Sequence, residues 1–83
     1  MALNVALVSP TQQVWTGEAT FVSARTTEGE LGVLPGHTPL FGVVVDGAVS
    51  IKGTDGTTKE FNVRGGFLSV SNDRVSILTE SVD

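Results

Sequence analysis

Residues 43 to 63 read Val-Val-Val-Asp-Gly-Ala-Val-Ser-Ile-Lys-Gly-Thr-Asp-Gly-Thr-Thr-Lys-Glu-Phe-Asn-Val. Val49-Ser-Ile51 and Phe61-Asn-Val63 alternate apolar with polar at a period of two. The Asp55-Gly56 pair between them supplies the positive φ that tight hairpin turns require. Asp46-Gly47 carries the same dipeptide signal one strand earlier, so the stretch predicts a meander of short antiparallel strands. Val43, Val44 and Val45 break the alternation and make both faces of their strand apolar. One face is core, and the other wants cover, which we assign to another chain.

Working outward, the same period recurs. Leu3, Val5 and Leu7 alternate with Asn4 and Ala6 until Pro10 closes the run. Val14 to Thr16 reads as a short second strand, Gly17 as a bend, and Thr20 to Thr26 as a third strand with Phe21 and Ser23 facing away from Val22 and Ala24. A fourth covers Glu30 to Leu34, and the valine strand runs from Phe41 to Val45. Toward the C-terminus Leu68 and Val70 alternate with Ser69 and Ser71. Asn72-Asp73 turns the chain, and Val75, Ile77 and Thr79 then oppose Ser76 and Leu78. Nowhere do apolar residues hold helical spacing without interruption. The expectation is one all-β domain over residues 1 to 83, with nine or ten short strands in a compact sandwich or flattened barrel.

Composition narrows the function. The 83 residues are 40% hydrophobic and 17% charged, which is a globular balance. A formal charge of −4, with Lys52, Lys59, Arg25, Arg64 and Arg74 scattered, excludes nucleic acid and anionic lipid as natural partners. Cysteine is absent, which removes disulfides, thiolate catalysis and cysteine-based zinc sites. No apolar run reaches the ~20 residues of a membrane helix, and Met1-Ala-Leu-Asn4 has no secretory pattern. A chain made and kept in the cytoplasm, with no membrane insertion, is expected.

The segment Gly29-Glu-Leu-Gly-Val-Leu-Pro-Gly-His-Thr-Pro-Leu40 concentrates glycine and proline, and we read it as a shaped, displayed turn carrying Glu30, Pro35, Gly36 and His37 at a sheet edge. His37 is the single imidazole, and no nucleophile elbow accompanies it, so it is expected to make a polar contact on that turn. Glu28 and Glu30 would stand roughly 7 Å apart on one face. Without an aromatic cluster to stack a sugar they read as solubilising edge charges. Gly29 to Gly32 lacks the Lys-Ser/Thr and the following helix of a phosphate loop. Gly65-Gly66 reads as a bulge or a close backbone approach, and Trp15 as core or half-buried packing. No cofactor, metal or nucleotide is expected.

The Ser9-Pro10 end of strand one, Trp15-Thr-Gly-Glu-Ala19, the Gly29 to Leu40 loop, Gly65-Gly-Phe-Leu68 and Val75-Ser-Ile-Leu78 together resemble, in order and spacing, the N-terminal domain of the epsilon subunit of bacterial F-type ATP synthase. The resemblance implies a flattened ten-stranded β-sandwich of two sheets. It also implies a non-catalytic central-stalk (rotor) subunit that links gamma to the c-ring at the cytoplasmic face of the membrane. It puts Glu30, Pro35, Gly36 and His37 toward the polar loops of the c-ring. Ser9, His37, Phe41, Gly42, Val43, Val44 and Val45 fall toward gamma. The family's inhibitory C-terminal helical hairpin has no counterpart before Asp83. The alternative is a free-standing β-sandwich protein-interaction module.

Overall fold

The structure, a computed structural model, describes residues 2 to 82. Its strands are β1 (Leu3–Ser9), β2 (Gln12–Thr26), β3 (Gly29–Val33), β4 (Leu40–Val44), β5 (Gly47–Gly53), β6 (Thr58–Val63), β7 (Gly66–Ser71) and β8 (Arg74–Leu78). The all-β expectation holds, but among the described residues the strands number eight, not the nine or ten expected from the sequence or the ten implied by the resemblance. Gly17 accounts for part of the difference. It does not bend the chain out of the ladder but lies within β2, paired with Val5. A Cβ there would sit 3.0 Å from Cη2 of Trp15, so the missing side chain makes room for the half-buried indole.

One hydrogen-bonded sheet in the order β1-β8-β7-β4-β2-β5-β6, with β3 beside β2 and β1 also paired to β2, folds over into a sandwich. Three bent paths make the fold. Along β2, residues 12 to 19 pair with β1, after which a register irregularity between Ala19 and Phe21 leads into pairing with β5 and β3. The second path corrects a sequence expectation: β4 and β5 are not a hairpin. Thr26 faces Val44 and Ser23 faces Ser50, so β4 and β5 follow one another along the same partner. Asp46-Gly47 is therefore a corner, with Gly47 at φ 157°. The third path runs from β6 to β7 through Gly65-Gly66, opposite Val82, Ser81 and Leu78 in turn. A side chain on Gly66 would put its Cβ 1.8 Å from the Leu78 carbonyl oxygen, so the close backbone approach read from this pair is present.

Two of the expected turns do form. β5 and β6 pair across residues 53 to 57, where Gly56 has φ 88° and the Asp55 carboxylate accepts the Thr57 N–H at 2.9 Å. That bond is the main cause holding the exposed Asp55 carboxyl below its ordinary value of 3.8. At the other hairpin Asn72 (φ 51°) and Asp73 (φ 60°) form the two-residue turn between β7 and β8, the positive-φ pair that matches strand twist.

Alternation fills the interior. Leu3, Val5 and Leu7 from β1, Val22 and Ala24 from β2, Val49 and Ile51 from β5, Leu68 and Val70 from β7, and Val75 and Ile77 from β8 are all buried. Thr79, also buried, donates its N–H to the Val8 carbonyl at 2.9 Å and sets its hydroxyl near the Arg64 and Ser81 carbonyls. Among the described residues no buried side-chain polar atom lacks a partner, which such a thin core requires.

Candidate docking surface

Because directly opposed residues share a face, the register writes out the outer surface of the layer formed by β1, β8, β7 and β4. Val8, Leu78, Phe67 and Val43 stand opposite one another in a continuous row. The next row is Ala6, Ser76, Ser69 and Phe41, and the one beyond is Asn4, Arg74 and Ser71. The face thus grades from apolar at one end to polar at the other. Phe41 leans across the rows, its ring stacked on Phe67 with centroids 5.4 Å apart and planes at 25°. Phe41 is 68% exposed, Leu78 54%, Phe67 47% and Val43 43%. Beside them Pro10, Gly66, Phe67, Leu78 and Glu80 line a groove of about 580 Å³.

The opposite outer face is different in kind. There Gly32, Ser23, Ser50 and Glu60 run in register, Ser50 donates its hydroxyl to Glu60 at 3.3 Å, and the Phe21 ring lies over Gly32. A sheet face so polar is satisfied by water, whereas four large apolar side chains clustered on the other leave burial unrealised.

The residues singled out from the sequence divide on this geometry. Phe41 and Val43 are on the apolar face. A Cβ built on Gly42 would point inward, 3.7 Å from the Thr26 methyl, and Val44, 2% exposed, gives its side chain to the core. Val45 lies just past the strand, half-buried, its N–H donated to the Arg25 carbonyl at 3.0 Å. Ser9 is buried, and its hydroxyl closes the turn into β2 by donating to the Gln12 carbonyl at 3.2 Å. Glu30 is exposed at the start of edge strand β3, opposite Arg25. Pro35, Gly36 and His37 follow the far end of that strand, about 13 Å further along the edge. They form a turn closed by the His37 N–H on the Leu34 carbonyl at 3.1 Å, with Pro35 second and Gly36 third at φ 85°. The His37 Nδ1 lies 2.7 Å from the Thr38 carbonyl. A carbonyl only accepts, so Nδ1 carries the hydrogen of this contact and Nε2 is the ring nitrogen left to meet another group.

Phe67 and Leu78 were missed, although parity marks both. Each is apolar at a position where its strand's alternation calls for an outward residue, beside Ser69 and Ser76. No cluster of three or more His, Cys, Asp or Glu occurs among the described residues.

The profile of the ATP synthase Delta/Epsilon chain, beta-sandwich domain, matches residues 2–83. The ATP synthase epsilon chain of Streptomyces coelicolor is 51% identical over 78 residues, which are 94% of this chain and 63% of that relative's length. The epsilon chain of Frankia casuarinae is 51% identical over 81 residues, 98% of this chain and 95% of that one. In fold, a chain in the Euglena gracilis mitochondrial ATP synthase structure that includes OSCP, F1 and c-ring superposes with a TM-score of 0.93 at 24% identity, over 99% of this chain and 52% of that one. A chain from the central stalk and c-ring of the Tetrahymena thermophila enzyme gives 0.85 at 18% identity, over 100% and 66%. With half its residues shared with epsilon chains across nearly its whole length, and a sandwich of the same fold, this chain belongs to the ATP synthase delta/epsilon β-sandwich domain family.

Proposed function

We propose that the chain serves as a non-catalytic central-stalk subunit of a proton-translocating ATP synthase, peripheral at the cytoplasmic face of a bacterial membrane. It docks on gamma through the Val8, Val43, Phe67, Leu78 and Phe41 face and meets the polar loops of the c-ring along the β3 edge from Glu30 to His37. The sandwich acts as one docking unit, with no nucleotide, cofactor or inhibitory role of its own. The observation that carries this reading is the one-sided apolar face in a member of this family. Its four large exposed side chains leave about two side chains' worth of apolar surface unburied, worth roughly 3 to 6 kcal/mol on docking. That is a gross gain, which the ordering cost of association offsets and to which contacts at the rim add.

The test is reconstitution. The full protein added to epsilon-depleted ATP synthase restores ATP-driven proton pumping, whereas a Phe41→Ser, Phe67→Ser variant with an unchanged circular-dichroism spectrum does not. Full restoration by that variant removes the apolar face from the gamma contact. Failure of the parent protein to bind the depleted enzyme at all favours the free-standing interaction module.

A further inference from the structure

The turn at residues 34 to 37 is not held by its own residues alone. The Gly36 N–H donates to Oδ1 of Asp73 at 2.7 Å, across 37 positions of chain. Asp73 belongs to the β7–β8 hairpin, and its backbone carbonyl accepts the Asn4 N–H at 2.8 Å. A single residue thereby fastens three segments: the start of β1, the hairpin that ends the polar row of the docking face, and the turn that presents His37. We infer that Asp73 is a positioning residue for the His37 turn, setting the turn's angle to the sheet so that the His37 Nε2 meets a hydrogen-bonding group on the c-ring loops. The inference rests on the proposed docking of that turn.

The physical case is one of ordering. Residues 34 to 39 join β3 to β4 outside any strand, and Leu34 at the turn's start is exposed. The turn's internal bond from His37 to Leu34 fixes its shape but not its direction. A bond to a carboxylate is short and strong for its class, and it ties the turn to the sheet. Freedom removed before docking is freedom that docking need not remove.

Three variants of the full protein separate side chain from backbone. Asp73 has φ 60°, which Asn and Gly both accept. Asp73→Asn keeps an oxygen acceptor, while Asp73→Gly removes it without backbone strain. Hydrogen exchange at the Gly36 amide should accelerate about tenfold in Asp73→Gly and stay near the parent in Asp73→Asn. Affinity for the assembled gamma and c-ring should fall about threefold to tenfold in Asp73→Gly and be rescued in Asp73→Asn. Unchanged Gly36 exchange in Asp73→Gly overturns the tether, and accelerated exchange with unchanged affinity overturns the positioning role. His37→Ala, the third variant, distinguishes the layers. If it weakens docking and Asp73→Gly does not, only the role of Asp73 falls. If it leaves docking unchanged, the turn is no contact and the inference falls with that reading.

Discussion

Two adjacent valines provide the sharpest test, because the strand sends them in opposite directions. Val43 is 43% exposed on the apolar face, and Val44 is 2% exposed in the core. Fully burying a valine side chain is worth roughly 1.5 to 3 kcal/mol, so the portion of Val43 still open to water represents about 0.6 to 1.3 kcal/mol available to a partner. Val43→Ala removes two of its three side-chain carbons and should therefore weaken capture by gamma about twofold to fourfold. Val43→Asp adds a carboxylate that docking must strip of water, a penalty of several kcal/mol, so capture should drop by more than about a hundredfold while the free domain stays folded. Val44→Asp meets that penalty inside the monomer. Against a total stability of about 4 to 12 kcal/mol for a chain this size, it should unfold most or all of the protein. Surface capture on immobilised gamma reads the two Val43 variants, and urea denaturation followed by circular dichroism reads Val44→Asp. Equal capture by parent and Val43→Asp, or a folded Val44→Asp that fails to bind, would refute the assignment of faces.

At the β6–β7 corner, Gly66→Ala combines a φ of 127° with a Cβ placed 1.8 Å from the Leu78 carbonyl oxygen, whereas Gly56→Ala has φ 88° and nothing within 4 Å. Gly56→Ala should lose about 1 to 2 kcal/mol to backbone strain alone, and Gly66→Ala at least about 2 kcal/mol more. Equal urea midpoints for the two would show that the corner opens freely. In the 53 to 57 turn, the folded Asp55 carboxyl titrates below 3.8 because its charged form accepts the Thr57 N–H. Its contribution is present above the unfolded pKa and is lost as pH falls through the lower folded value. The stability advantage of the parent over Asp55→Asn should thus hold near neutrality and close in acid below 3.8, and an advantage that persists undiminished there contradicts the linkage.

Much of the architecture is legible in the sequence because strand parity is a local property. Alternation alone places Leu3, Val5, Leu7, Val75 and Ile77 inward, and the same parity exposes Leu78. Turn chemistry is equally local: Asn72, Asp73 and Gly56 adopt the positive φ their residue types allow. Gly65-Gly66 announces a close approach because only glycine tolerates one. What a strand pairs with is a different matter. Asp46-Gly47 suits a hairpin and a corner alike. The corner arises because β2 is long enough to accept β4 at Thr26 and β5 from Ser23 onward in one line. The exposed apolar face likewise exists only after β1, β4, β7 and β8 lie side by side, since its row draws one residue from each. The choice between Val43 and Val44 as the outward residue followed from that pairing, as did the bond from Asp73 to Gly36. A period of two states which residues share a side, but which side faces the core is set by the neighbours that non-local hydrogen bonds bring alongside.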